Sequence, residues 1–333
     1  MMQSGRGDIN PGFIRETAMA FRESRILLSA YELDLFTVLG SRTMDAGDIA
    51  HSAGTDVRAT DRLLNALAAM GYLHKEGVAF RNTPGAQQFL DRNSPDYLAG
   101  LMHTSHLWES WSTLTEAVKA GTSVMKSMGD RGETWFRPFI AAMNDRAKSQ
   151  APVVAKLFDL SGVHRLLDVG GGSGVFSIAF ARAAGHLHAT VFDLPGVVAM
   201  TGEYIQQEGL AGRIDTMPGD YNHDKPAGTY DMIFLSAIIH SNSFEENRVL
   251  IENCAGALNP GGTIAVMDFI MDESRTAPAP GALFAINMLV NTEAGDTYTE
   301  GEVRGWMQGA GLVKMKRVET GFGSVIIQGY KKD

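Results

Sequence analysis

Apolar positions change their spacing about halfway along the chain. In the first half they recur at three- and four-residue steps, the mark of amphipathic helices. Ile9 to Gly40 is predicted to be mostly helical, with Met19, Arg22, Ile26, Ala30, Leu33 and Val38 along one face and Gly40 as a C-cap. A short helix is expected from Asp45 to Ala50. Another runs over Asp56–Met70, with Leu63, Leu64, Leu67 and Met70 on one side. Gly71–Leu73 and Val78–Phe80 then read as a hairpin around Lys75, Glu76 and Gly77. Two helices and a hairpin make a winged-helix pattern. Pro84 to Ala120 is helical again around Trp108 and Trp111, Gly129 to Gly132 is a break, and Thr134 to Phe158 is a long helix. Its Trp135, Phe139 and Met143, four residues apart, face either the core or a substrate pocket.

From Arg165 onward, short apolar runs alternate with helical stretches, the pattern of a parallel sheet with crossover helices. Strands are expected at Arg165–Val169, Ala189–Phe192, Asp215–Pro218, Tyr230–Leu235 and Thr263–Phe269, the last preceded by a turn at Pro260-Gly261-Gly262. Val313–Val318 and Ser324–Tyr330, separated by a glycine-containing turn, read as an antiparallel pair closing the sheet.

The stretch LLDVGGGSGVFSIAFARA, Leu166 to Ala183, carries the first chemistry. A buried strand hands over to a helix through glycines, which lack a Cβ and let the backbone come close to a ligand. The dinucleotide fingerprint G-x-G-x-x-G does not fit in either frame: its third glycine falls on Val175 or Ser177. The spacing Asp168-x-Gly170-x-Gly172-x-Gly174 is instead similar to motif I of class I S-adenosylmethionine (SAM) methyltransferases. Phe192-Asp193-Leu194-Pro195 ends the next strand, and an acid placed there can accept from two ribose hydroxyls.

Composition narrows the partners. The net charge of -9 disfavours nucleic acid and anionic membrane surfaces. A winged helix with Arg58 and Arg62 on its second helix suggests DNA binding when taken alone, but on an acidic chain with a cofactor motif it is expected to serve dimer packing. The single cysteine, Cys254, excludes an internal disulfide and a cysteine-based zinc site. No spacing specifies a metal site. Without a transmembrane run or a signal-peptide core, a soluble cytoplasmic protein is expected.

Over nearly its whole length the sequence resembles the caffeic acid and hydroxyindole type of O-methyltransferases. The likeness rests on RLLNALAAMGYL followed by FRNTP, LLDVGGGSG, FDLP, PGDY, ALNPGGTIAVMDF and YTEGEVRGWMQGAGL. It implies an α/β fold, a class I SAM methyltransferase Rossmann-like sheet behind an N-terminal winged-helix dimerisation domain. The division implied is 1–120 for dimerisation, 121–160 for linking helices lining the substrate pocket and 161–333 for SAM binding. The cofactor implied is SAM. The partners implied are a second copy of the chain and a small aromatic or polycyclic acceptor.

Carried over by position, the resemblance assigns cofactor contacts to Asp168, Gly170, Gly172, Gly174, Asp193, Leu194, Asp220, Tyr221 and Ser236. Substrate contacts fall on Trp135, Phe139, Met143, Arg146, Phe284, Asn287 and Met288. His240 becomes the general base, since an imidazole with a pKa near ~6.5 can take a phenolic proton at neutral pH. The chain departs from the pattern beside it. Ser241 follows the histidine where an aspartate is usual. Of the two glutamates that orient it in plant members, the first is replaced by Asp268 and the second by Thr297, with Asp296 adjacent. C-methylation of an electron-rich ring in the same site, and a SAM-sensing DNA-binding regulator, are the alternative readings.

Overall fold

The computed structural model describes residues 9–125 and 133–332. The predicted break at Gly129–Gly132 lies outside them, as does the side chain of Trp135. Contacts divide the chain between Ser105 and His106 into two compact units.

The first unit opens with the mostly helical stretch that was expected, divided into three helices: α1 (Pro11–Met19), α2 (Phe21–Glu32) and α3 (Leu35–Leu39). Asn10 caps α1 through its side chain, and the chain breaks before α3 at Asp34, which is left-handed at φ 56°. The break rotates the apolar register, so Leu33 and Met19 stay exposed while Leu28, Tyr31, Leu35, Phe36 and Leu39 are buried. β1 (Met44–Asp45), α4 (Ala46–Ala53), α5 (Val57–Ala69), β2 (Leu73–Glu76) and β3 (Ala79–Asn82) complete the winged-helix pattern in the sheet order β1-β3-β2. The hairpin extends further than expected, with Gly77 and Val78 at its tip. α6 (Pro84–Leu90) and α7 (Leu101–Ser112) are separate helices, so the stretch from Pro84 is interrupted. Asn82 is buried and donates to the carbonyls of Phe36 and Gly40, joining the wing to the helices.

In the second unit, α8 (Leu114–Ala120) precedes α9 (Glu133–Lys148) and α10 (Ala151–Ala155). The long helix predicted to Phe158 is thus two, broken just before Pro152, which cannot donate to a helix interior. Then follow β4 (Arg165–Val169), α11 (Val175–Ala183), β5 (His188–Asp193), α12 (Pro195–Gln207), β6 (Ile214–Pro218), β7 (Tyr230–Ser236), α13 (Phe244–Gly256), β8 (Leu258–Asp268), β9 (Ile270–Met271), α14 (Ala279–Asn291), β10 (Tyr298–Thr299), α15 (Glu300–Gly309), β11 (Val313–Glu319) and β12 (Val325–Tyr330).

The large sheet has the order β11-β12-β8-β7-β4-β5-β6. β4 to β8 are parallel, and β12 enters antiparallel between β8 and β11. Pro260, Gly261 and Gly262, expected as a turn before a strand, lie inside β8. They loop out of the ladder, because pairing jumps from Tyr230↔Leu258 to Met232↔Thr263.

Alternate residues of the buried strands feed cores on opposite faces. Leu167, Val169, Ile233, Leu235, Ile264 and Val266 join one core with helices α13 and α15. Leu166, Met232, Phe234, Ala265 and Met267 join the other with α10 and α11. There Phe158, Phe176 and Phe180 surround Phe234 at centroid distances of 5.2 to 6.1 Å. Strand order reverses between β4 and β7, so the carboxyl ends of these two strands open the crevice where such sheets bind ligands.

Candidate active site

At the end of β4, Gly170, Gly172 and Gly174 take φ values of 63°, 57° and 74°. A Cβ on Gly170 would stand 2.2 Å from the Ile238 side chain and 3.4 Å from the Tyr221 ring, so this position needs glycine on both counts. Thr201 of α12 ties the turn down by donating to the carbonyls of Gly172 (2.5 Å) and Val197 (3.0 Å).

Asp193 ends β5 beside this turn. Its Oδ2 accepts from the Gly172 N–H (2.9 Å) and its Oδ1 from the Leu194 N–H (2.8 Å). Burial pushes its carboxyl above the usual range, and the two backbone donors oppose that shift. A carboxylate has about four lone-pair sites. Two are used here, which leaves the capacity to accept from a vicinal diol. The cradle and this carboxylate fit the ribose and methionine portions of SAM.

Asp168 is placed differently. It shares the parity of Leu166, so it lies beneath the turn, fully buried, where Ser177 of α11 donates to its Oδ2 (2.8 Å). A Cβ on Gly171 would come within 2.7 Å of this carboxyl. Burial pushes Asp168 up to about 7, against the Ser177 hydrogen bond. It supports the glycine turn from below.

In the loop after β6, Asp220 accepts from the Asn222 N–H (2.9 Å), and its own N–H donates to Asp224 (2.9 Å). Tyr221 packs against the α13 side of the core, where burial pushes its hydroxyl well above the usual tyrosine range. Ser236 is the last residue of β7, half-buried and paired with Met267. Leu194 shares a small apolar cluster with Phe139, Ile140, Val197 and Met200. Phe139 therefore packs against α12, while Met143 is half-buried further along α9.

β7 delivers His240 through Ala237, which is left-handed at φ 58°, into a single 3-10 turn, Ile239–Ser241. His240 Nδ1 lies 2.9 and 3.0 Å from the two oxygens of Asp268, the last residue of β8. Asp268 also accepts from the Phe269 N–H (2.8 Å) and is buried. An ionised carboxylate can only accept, so Nδ1 carries the hydrogen and Nε2 is left as the basic nitrogen.

Asp296 is turned away, toward Arg275 (3.3 Å), and caps the Thr297 N–H (2.7 Å). Among the described residues Asp268 is the only hydrogen-bond partner of the imidazole. The neighbouring backbone is held by groups with no sequence signal. Asn247 donates to the Ile239 carbonyl (2.8 Å), and Asn242 donates to Asn247 (3.1 Å). The Tyr298 hydroxyl donates to the Asn242 carbonyl (2.6 Å). Asn222 reaches Asn242 Oδ1 (3.3 Å), linking the Asp220 loop to the histidine loop.

Phe284 of α14 meets the His240 ring edge-on at 4.7 Å and 88°, and Phe269 lies 5.0 Å from Phe284. The Arg146 guanidinium stands over the Phe269 ring at 5.5 Å. Asn287 Oδ1 accepts from Trp111 Nε1 (2.9 Å) and Asn291 Nδ2 (3.3 Å). Met288 is buried in the second unit. The structure thus groups Gly170, Gly172, Gly174 and Asp193 as one set and His240, Asp268 and Phe284 as another. No cluster of three or more metal-ligating side chains occurs among the described residues.

A seven-stranded sheet in this order, with a glycine turn after its first strand and a carboxylate closing its second, defines a class I SAM methyltransferase. Residues 111–313 match the O-methyltransferase domain family, and residues 16–92 match the O-methyltransferase dimerisation domain. A 3-hydroxy-5-methyl-1-naphthoate 3-O-methyltransferase of Streptomyces sahachiroi is 33% identical, covering 92% of this chain and 91% of its own. The tetracenomycin polyketide synthesis 8-O-methyl transferase TcmO of Streptomyces glaucescens is 32% identical, covering 92% of each. A solved structure of PigF with SAH has a TM-score of 0.90 at 25% identity, covering 97% of this chain and 100% of that one. PigF is an S-adenosyl-L-methionine-dependent methyl transferase of Serratia sp. (strain ATCC 39006), 28% identical over 83% of each chain.

The chain belongs to the O-methyltransferase family and is a SAM-dependent O-methyltransferase. Its dimerisation domain supports a homodimer. No helix among the described residues is long and apolar enough to cross a membrane.

Proposed function

We propose that the methyl acceptor is a phenolic hydroxyl on a fused aromatic ring and that His240 removes its proton. The observation that carries this reading is the His240–Asp268 pair at the carboxyl edge of the sheet, 2.9 Å apart and facing the aromatic side chain of Phe284. The naphthoate and polyketide acceptors named for the two Streptomyces relatives support the acceptor class.

In this account Gly170, Gly172 and Gly174 cradle the methionine part of SAM and Asp193 holds the ribose. Asp220 and Tyr221 flank the adenine, with Leu194 and Ser236 bordering the same site. SAM, when bound, supplies an electrophilic sulfonium methyl. The protein's share is to align the acceptor oxygen with that methyl and to take up one proton. Asp268 keeps the Nδ1 hydrogen in place, so the lone pair of Nε2 faces the acceptor. As the proton moves to Nε2, the fixed negative charge of Asp268 stabilises the imidazolium that forms. Phe284 fixes the tilt of the imidazole and offers an edge to an aromatic acceptor.

The test is to incubate the enzyme with methyl-labelled SAM and a panel of hydroxynaphthalenes, and to locate the label by NMR. The reading predicts a methoxy product. A label found on ring carbon would replace it with C-methylation.

A further inference from the structure

We propose that Arg146 is a recognition site for a carboxylate borne by the acceptor, so that the natural substrate is a hydroxylated aromatic acid rather than a neutral phenol. The proposal rests on the methyl-transfer reading above and deepens it.

Four side chains stand in series in the second unit. His240 meets Phe284 at 4.7 Å, Phe284 meets Phe269 at 5.0 Å, and the Arg146 guanidinium lies over the Phe269 ring at 5.5 Å. The proton acceptor and a permanent cation thus each border the same pair of aromatic rings. The cation's contact with Phe269 is the only interaction it makes with a described residue, and among the described residues no carboxylate is within ion-pair distance.

This sets it apart from most of the arginines around the second unit. Arg137, Arg182, Arg248, Arg275, Arg304 and Arg317 each hold a carboxylate. The chain as a whole has more acidic than basic residues, 38 against 29, so an arginine without an acid is not for want of acids.

The N–H groups of this guanidinium make no hydrogen bond with a described residue, and they form a planar fork. That fork matches a carboxylate in bidentate fashion. A fused-ring acceptor placed against Phe284 and Phe269 would present its hydroxyl to His240 Nε2 and its carboxylate to Arg146. The ion pair would then set which hydroxyl of a polyhydroxylated ring is methylated, because anchoring the acid fixes the acceptor's register against these two rings.

The experiment compares three probes with wild type, Arg146→Gln and Arg146→Lys: a hydroxynaphthoic acid, its methyl ester and the parent naphthol. SAH release gives kcat/KM for each, and calorimetry gives SAM affinity. Wild type is expected to favour the acid over the ester and naphthol by about ten- to a hundredfold, the range for a hydrogen bond to a charged group. Arg146→Gln should lose that margin through KM for the acid, leave the ester and naphthol within about threefold and keep SAM affinity, while Arg146→Lys restores part of the preference as a point charge. Wild type using acid, ester and naphthol alike, or Arg146→Gln losing equally on all three, would overturn the proposal and leave O-methylation intact. Methylation of none of the three by an enzyme that binds SAM would count against both the anchor and the aromatic acceptor class.

Discussion

Asp168 follows Leu166 by two residues on a strand buried on both faces, so parity alone puts its carboxyl under α11 with Ser177. Motif spacing suggested a cofactor contact, and the structure places a supporting group there. With its carboxyl raised to about 7 from 3.8, the folded state binds this proton more tightly than the unfolded chain does. Its contribution is fully present below about pH 4 and is lost as pH rises through about 7. The loss amounts to roughly 3–5 kcal/mol, at 1.36 kcal/mol for each pKa unit of difference. Thermal melts of the SAM-free protein should therefore show Asp168→Asn gaining on wild type as pH rises from about 4 to 7.5. Parallel melting curves across that range would show that Asp168 is not the titrating group. Asp193 was legible in position because FDLP carries it to the carboxyl end of a strand, the edge where such sheets bind ligands. His240 was legible in position only. Whether Asp268 or Asp296 serves it depends on which way a loop turns, and the binding of Asp296 to Arg275 leaves no trace in local sequence.

At the scale of elements, the parallel strands and their crossover helices followed from apolar runs and glycine turns, and the winged-helix pattern from helical spacing. The two-residue pairing of β9 with β10 did not, because Ile270–Met271 and Tyr298–Thr299 are too short to show a period. That pairing brings Tyr298 to the Asn242 carbonyl, and the loop before it brings Gly295 against the histidine turn. A Cβ on Gly295 would lie 2.4 Å from the His240 carbonyl oxygen and 2.5 Å from Thr292 Oγ1, so backbone must move to admit it. Gly295→Ala is expected to reduce kcat about 10- to 100-fold, since a misplacement on the order of 1 Å costs that much, with SAM affinity within about twofold. Gly305, inside α15 with nothing within 4 Å, supplies the contrast: Gly305→Ala should leave kcat unchanged and stabilise the helix by up to about 1 kcal/mol. Equal kinetics for the two variants would refute the proposed hold of the 295 loop on His240.

For the whole molecule, the dimerisation match over residues 16–92 agrees with the state of α1, which buries none of its residues although it carries Ile14, and Phe21 just beyond it is exposed. Sedimentation at low micromolar concentration should give the mass of two chains, and Ile14→Glu combined with Phe21→Glu should shift it toward one. A wild-type monomer would contradict the dimer. The sheet order, with β12 inserted between β8 and β11, brings the carboxyl ends of β4, β5, β7 and β8 to one edge, and with them Gly170, Asp193, His240 and Asp268. The account's central claim is that His240, oriented by Asp268, takes the acceptor's proton. Its most direct test is single-turnover methyl transfer as a function of pH, for wild type and His240→Ala, both saturated with SAM. The account predicts a loss of about 10²–10⁴-fold at neutral pH, unchanged SAM affinity and recovery of the mutant rate as the acceptor hydroxyl ionises at alkaline pH. A mutant within about threefold of wild type from about pH 6 to 9 would contradict general-base catalysis by His240.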